Sequence, residues 1–304
     1  MKYYYYLPLY CALASAQQTS TFTFDVNGQP MEGASHVNTG NAKREVVRSI
    51  NGRSVPLQST EDHVVSDSGG VKVVERLVKR FDDSGNPLPS DKVRIEERKN
   101  ADGSGSVATT VMRADVNGNY QLAERTKAER QKSGDTLTTS TQVERPTLNG
   151  GLEMVEKRDE TLRESKSGDA DMTATVYKRD TNGRLSEAAK QTMQRTVNGP
   201  TAVENAAVYE ATNGSLSLVK QTVSTISKAS NGAEHKETNV FVPNALGRVD
   251  SGSKPQLLEQ QIIEKTPTAG GSVEILSVRR ATDNPGKLGA PQKVAESVCR
   301  GECK

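Results

Sequence analysis

Tryptophan is absent from this 304-residue chain, and phenylalanine and tyrosine supply an aromatic share of only 4%. The aromatic platforms on which sugars and bases stack are therefore scarce. Charge of one sign is lacking too: 40 basic residues nearly cancel 38 acidic ones, for a formal net charge of +2. With no basic cluster interleaved with aromatics, no nucleic-acid partner is expected. Apolar residues are 33% of the chain, and Leu, Ile, Val and Phe together fall just under a fifth, a level at which disorder becomes plausible. Disorder usually also requires a high net charge, and here the apolar residues recur at fixed places. An ordered but thin structure with little central core is the expectation.

Long hydrophobic runs are missing except at the start. Lys2, the mainly apolar stretch Tyr3 to Leu13 and the small-x-small sequence Ala14-Ser15-Ala16 have the layout of a secretory signal peptide cleaved after Ala16. The stretch is shorter than the roughly 20 residues that a spanning helix needs. Cys11 raises a lipoprotein alternative, but Pro8-Leu9-Tyr10 ahead of it lacks the expected small residue. The chain is thus expected to be secreted or periplasmic, with no transmembrane segment after signal cleavage.

Catalytic and ligand-binding signatures are also missing. There is no Gly-rich phosphate loop, nucleophile elbow, His-Glu-x-x-His helix or paired CxxC motif. His36, His63 and His235 are scattered, and Glu96-Glu97 would serve glycosidase chemistry only inside a cleft. Asp115-Val116-Asn117-Gly118-Asn119 superficially resembles a calcium loop, yet Tyr120 stands where glycine is needed and Thr126 where an acid is needed. No catalytic residue, cofactor or metal site is expected. Of three cysteines, Cys299 and Cys303 lie in the C-terminal Ser-Val-Cys-Arg-Gly-Glu-Cys-Lys. In an oxidising compartment they could close a small disulfide loop; an interchain link, free thiols and a metal site stay open.

What is abundant is repetition. Gly52, Gly85, Gly118, Gly150, Gly183, Gly214, Gly247 and Gly286 recur about every 33 residues, mostly after Asn or Ser. A second set, Gly103, Gly134, Gly168, Gly199, Gly232 and Gly270, falls between them. One unit therefore reads segment, turn, segment, turn. Asn-Gly predicts two-residue type I′ turns, in which both central residues take positive φ. Seven residues before the main glycine stand Val78, Val111, Val143, Val176 and Val240, with Val208 one place off. Two residues after it stand Tyr120, Leu152, Leu185, Leu216, Val249 and Leu288. Across a two-residue turn the two positions would share one face, giving each hairpin an apolar stripe. The second segments, such as 152–165 and 185–196, are rich in Glu, Lys, Ala, Gln and Arg and have helical propensity. Repeat equivalence and the flanking turns favour strand, with strand-plus-helix as the rival. The alternating charges of Val93-Arg94-Ile95-Glu96-Glu97-Arg98-Lys99 suit solvated sheet faces with cross-strand pairs.

Val176-Tyr177-Lys178-Arg179-Asp180-Thr181-Asn182-Gly183-Arg184-Leu185 resembles a YD (Rhs-type) repeat over about ten residues. Here Tyr177 and Asp180 are separated, and the period is longer than in that family. The whole chain is more similar to uncharacterised secreted bacterial tandem β-hairpin repeat proteins. Neither resemblance carries catalytic or binding residues over.

The expected fold is all-β: an elongated antiparallel meander of about eight tandem β-hairpin repeats, twisted or wound. Residues 1–16 would be the signal, 17–44 an irregular N-terminal cap, 45–288 the repeats and 289–304 a tail carrying the Cys pair. The expected function is non-enzymatic, a structural, adhesion or protein-interaction scaffold contacting protein or cell-envelope surfaces. The alternative is a hydrophobic-ligand or lipid carrier in which a curled sheet encloses the stripe of Val111, Val143, Val176, Leu152 and Leu216.

Overall fold

In the computed structural model the described residues are 34–39, 43–50, 53–82, 84–180, 182–212, 214–243, 255–269, 271–282 and 287–300. Among them every regular element is a strand. The first six are β1 (Ala34–Thr39), β2 (Lys43–Ile50), β3 (Arg53–Ser68), β4 (Val71–Arg80), β5 (Asp91–Lys99) and β6 (Gly105–Ala114). Then come β7 (Tyr120–Ser133), β8 (Thr136–Pro146), β9 (Leu152–Glu164), β10 (Ala170–Arg179), β11 (Leu185–Asn198) and β12 (Thr201–Thr212). The last are β13 (Ser215–Lys228), β14 (Glu234–Val242), β15 (Gln256–Thr268), β16 (Gly271–Arg280) and β17 (Gln292–Arg300).

From β2 to β17 each strand pairs antiparallel with the next, so sixteen strands form one meander of eight hairpins. The all-β meander read from the repeat is present. The segments with helical composition, β9 and β11, are strands: each pairs with a strand on both sides, and that ladder outweighs tenths of a kcal/mol per residue of helical preference. β1 and β17 lie in the stretches expected to be an irregular cap and a tail, so strand pairing extends past both boundaries. β1 runs parallel to β17 and antiparallel to β2. It therefore brings the first and last strands of the meander to within two strand spacings, which suits a wound rather than a flat course. Free strand edges invite pairing with other chains, and β1 occupies one side of each terminal strand.

Four of the turns correct the sequence reading, whereas at Gly214 Thr212 pairs directly with Ser215 and the turn has the two residues expected. At Gly118 the amide donates to Asp115 O at 3.0 Å and the Asp115 amide donates to Asn119 O at 2.9 Å. That is a three-residue loop built on a type I turn, with Gly118 alone at φ +82°. Gly85, Gly150 and Gly183 donate in the same way to Asp82, Thr147 and Asp180, at 2.9, 3.0 and 3.1 Å. At Gly85, Gly118 and Gly183 an aspartate three residues before the glycine braces the turn; at Gly150 that place is Thr147. Asp115 Oδ1 accepts the amides of Asn117 and Asn119 at 2.8 and 2.9 Å, and Asp82 and Asp180 do likewise in their turns. An aspartate that bonds the backbone two residues on favours this turn. Gly52, Gly247, Gly270 and Gly286 lie outside the described residues.

A second device recurs in the strands. The pairing register shifts at Val46/Val47, Val111/Met112, Val143/Glu144, Val176/Tyr177, Val208/Tyr209, Val240/Phe241 and Leu276/Ser277. The recurring valine thus marks a β-bulge in nearly every repeat, and a bulge bends and twists its strand.

Candidate functional site: two charge-laddered faces

Directly paired residues share a face, so the registers divide the side chains into two sets. One face carries Val46, Val78, Val111, Val143, Val176, Val208, Val240 and Leu276, on the eight even-numbered strands. Val46, Val176, Val240 and Leu276 are buried. Leu276 is fully so, within a cluster of Val278, Val294, Ala295 and Ile263. This is the valine face.

The bulge separates the residues of the expected stripe. Val111 pairs with Glu124, but the next pair is Met112 with Leu122, one residue of β7 having been skipped. Leu152 pairs with Pro146 beyond the bulge after Val143, and Leu216 pairs with Ala211 beyond the bulge after Val208. Val111, Val143 and Val176 therefore lie on the valine face, whereas Leu152 and Leu216 lie on the opposite one. The expectation of a single stripe assumed an unbroken register, which the bulges interrupt in both hairpins; the two-residue turn it also assumed is absent at Gly150 and present at Gly214, where Thr212 pairs directly with Ser215.

Charged residues follow the same repeat. Across the hairpins the valines face carboxylates: Val78 pairs with Asp91, Val111 with Glu124, Val143 with Glu156 and Val240 with Glu259. Two residues beyond four of the valines stand Arg80, Arg113, Arg145 and Lys178. Arg80 and Arg113 both hold Asp91, at 2.7 and 3.1 Å; Arg145 holds Glu124 at 2.9 Å and Lys178 holds Glu156 at 3.8 Å. Asp91 is buried and its charge is met from both sides. Further along, Arg158 bonds Glu160 and Gln191, while Arg195 bonds Glu164 and the Gly168 carbonyl. In the sequence these residues look like ordinary alternating charges. The signal that could have found them is the recurring Val-x-basic triplet: Val78-Lys79-Arg80, Val111-Met112-Arg113, Val143-Glu144-Arg145 and Val176-Tyr177-Lys178.

On the opposite face the pairs are more open. Arg94 bridges Glu96 at 2.8 Å and Glu75 at 3.5 Å, all about half exposed. Arg125 bonds Glu144 at 2.6 Å, and this hydrogen bond holds the Glu144 carboxyl below its ordinary range. Burial pushes the Asp159 carboxyl up, but hydrogen bonds from Lys157 and Ser140 outweigh it and leave it lowered. The Lys157 ammonium is raised chiefly by the same Asp159 bond. Lys92 sits over the Tyr120 ring, 4.3 Å from its centroid. A row of directly opposed threonines, Thr138, Thr161, Thr173 and Thr192, crosses β8 to β11. A shallow open trough there is lined by Thr173, Thr192, Asn205, Ala207 and Gln221.

At the hairpin tips Val116 and Leu148 are essentially fully exposed, 92% and 107%. They occupy equivalent places in the turns that join β6 to β7 and β8 to β9.

Among the described residues no group of three or more His, Cys, Asp or Glu side chains is placed to hold a metal ion. His235 stands 4.0 and 3.9 Å from Glu237 and Glu264, and His63 is exposed on β3. Cys299 is disulfide-bonded; Cys11 and Cys303 lie outside the described residues. No helix among the described residues is long and apolar enough to cross a membrane. No family model matches this chain, and no curated protein matches it significantly.

Proposed function

We propose that this protein is a non-enzymatic, secreted or periplasmic scaffold that contacts a protein or cell-envelope surface through its exposed hairpin tips. The observation that carries the reading is the contrast between faces and tips. Along both faces charged side chains are engaged with neighbours on the same sheet. Val116 and Leu148, by contrast, hold full apolar side chains in water at adjacent tips, where a turn would tolerate Ser or Asn equally well. Burying two such side chains against a partner contributes about 1.5–3 kcal/mol each. The carrier alternative has less to stand on, because the stripe it needs is divided between opposite faces.

The test is sedimentation of the purified protein with isolated cell envelopes. Wild type is expected to co-sediment, and the double variant Val116→Ser, Leu148→Ser to remain in the supernatant with an unchanged far-ultraviolet spectrum. Equal co-sedimentation of the two, or none by wild type, overturns the role of the tips.

A further inference from the structure

The same turns control a chemical liability that is written into the sequence eight times. An Asn-Gly pair can lose ammonia: the glycine amide nitrogen gives up its proton and attacks the asparagine Cγ. A new N–Cγ bond forms, the Cγ–NH2 bond breaks and NH3 leaves, producing a five-membered succinimide. Water then opens the ring at either carbonyl, giving aspartate or isoaspartate. No enzyme, oxidant or cofactor is involved. The step requires the glycine nitrogen to be available and the asparagine carbonyl carbon to reach it.

Five Asn-Gly pairs are fully described. In four, the attacking nitrogen is committed to the turn: Gly118 donates to Asp115 O at 3.0 Å, Gly150 to Thr147 O at 3.0 Å, Gly183 to Asp180 O at 3.1 Å and Gly232 to Ala229 O at 2.9 Å. At Asn231 the side chain is held as well, its Oδ1 accepting the Ala233 amide at 3.0 Å. The fifth pair, Asn198-Gly199, is built differently. Asn198 pairs directly with Thr201, so only Gly199 and Pro200 form the loop. Gly199 has φ +59° and proline fixes its own φ near −65°, which defines a two-residue type II′ turn. In that turn the Gly199 amide has no acceptor among the described backbone hydrogen bonds. Chain neighbours apart, no heavy atom lies within 4 Å of the place where a Gly199 Cβ would stand, as is also so at Gly118 and Gly150, and Asn198 is exposed.

We infer that Asn198 is a site of spontaneous deamidation in the folded protein, and that the three-residue turns protect Asn117, Asn149, Asn182 and Asn231. The product adds a negative charge at the β11–β12 hairpin. As isoaspartate it also inserts a methylene into the backbone beside the Asn198–Thr201 pair, which shifts the register where the hairpin begins.

The full-length protein, incubated at mildly alkaline pH and mapped by peptide mass spectrometry with isoaspartyl methyltransferase labelling, reports each site separately. In the native state Asn198 is expected to convert at least about fivefold faster than each of the other four, the factor given by one net hydrogen bond of about 1 kcal/mol. In guanidinium chloride, where every turn is lost, the five rates should converge. Native conversion of Asn198 no faster than Asn117, Asn149, Asn182 and Asn231 overturns the inference. So does a fivefold preference that persists unchanged in denaturant, because local sequence would then be its source.

Discussion

Replacing Asp91 with alanine removes the carboxylate that Arg80 and Arg113 share across three strands. Its side chain is 5% exposed, and the two guanidinium groups are 36% and 43% exposed. Charge-assisted hydrogen bonds contribute about 1.5–3 kcal/mol each when sequestered. Both arginines can turn to water once released, which brings their share toward the 0–1 kcal/mol of exposed pairs. The net loss should be about 2 kcal/mol. At an m-value of roughly 3 kcal/mol per M, that lowers the urea midpoint by about 0.7 M. With no tryptophan in the chain, far-ultraviolet circular dichroism is the suitable readout. Asp91→Asn, which keeps an acceptor, should fall between the two. The control is Glu96→Ala, which removes one of the two carboxylates that Arg94 bridges on the opposite face, where both members of the pair are about half exposed; its cost should stay below about 1 kcal/mol. If Asp91→Ala melts with wild type, or Glu96→Ala costs as much, the valine face does not hold the structural charges.

Two further outcomes follow from the same geometry. The carboxyl groups of Asp82, Asp102 and Asp115 are lowered, chiefly by hydrogen bonds from Asn86, Ser104 and Asn119 respectively. A lowered folded-state value means that the unfolded chain takes up protons first as pH falls. The stabilisation is therefore complete above the ordinary carboxylate range and is lost as pH drops through the lowered values. The urea midpoint should fall on acidification below about pH 4, less so in Asp115→Asn; a midpoint that rises with acid contradicts this. Leu276→Ala should cost about 2–5 kcal/mol, since the side chain is fully buried beside Val278, Val294 and Ala295. A thermal or urea midpoint within error of wild type would show that this cluster is not packed.

The period, the strands and the turn positions were legible because glycine at a fixed interval is a backbone requirement that few other residues meet. The turn type was less so. Asn117-Gly118 looks like a two-residue turn until Asp115 is counted, whose carboxylate braces the three-residue loop; the same loop forms at Asn149-Gly150 after Thr147 and at Asn231-Gly232 after Ala229, where no carboxylate signals it. The bulges left no residue-type signature of their own: the valine at each bulge reads as an ordinary strand residue, and the skipped partner changes which face Leu152 and Leu216 occupy. Helical composition in β9 and β11 was overridden by pairing on both sides. Asp91 was invisible as a buried group, since only the register brings Arg80 and Arg113 to it from neighbouring strands. β1 was hidden for a related reason: its pairing with β17 joins residues more than 250 positions apart, and local sequence carries no trace of such a contact.

That long-range pairing is the feature on which the account depends most, and a distance measurement tests it directly. Val37 of β1 pairs with Glu45 of β2 and with Val298 of β17, so Glu45 and Val298 stand two strand spacings apart, about 10 Å. Spin labels at Glu45→Cys and Val298→Cys, with the native disulfide intact, should show the strong dipolar broadening of so short a separation. A flat meander of sixteen strands would instead hold them about 70 Å apart, and a spectrum without broadening would contradict the structure described here.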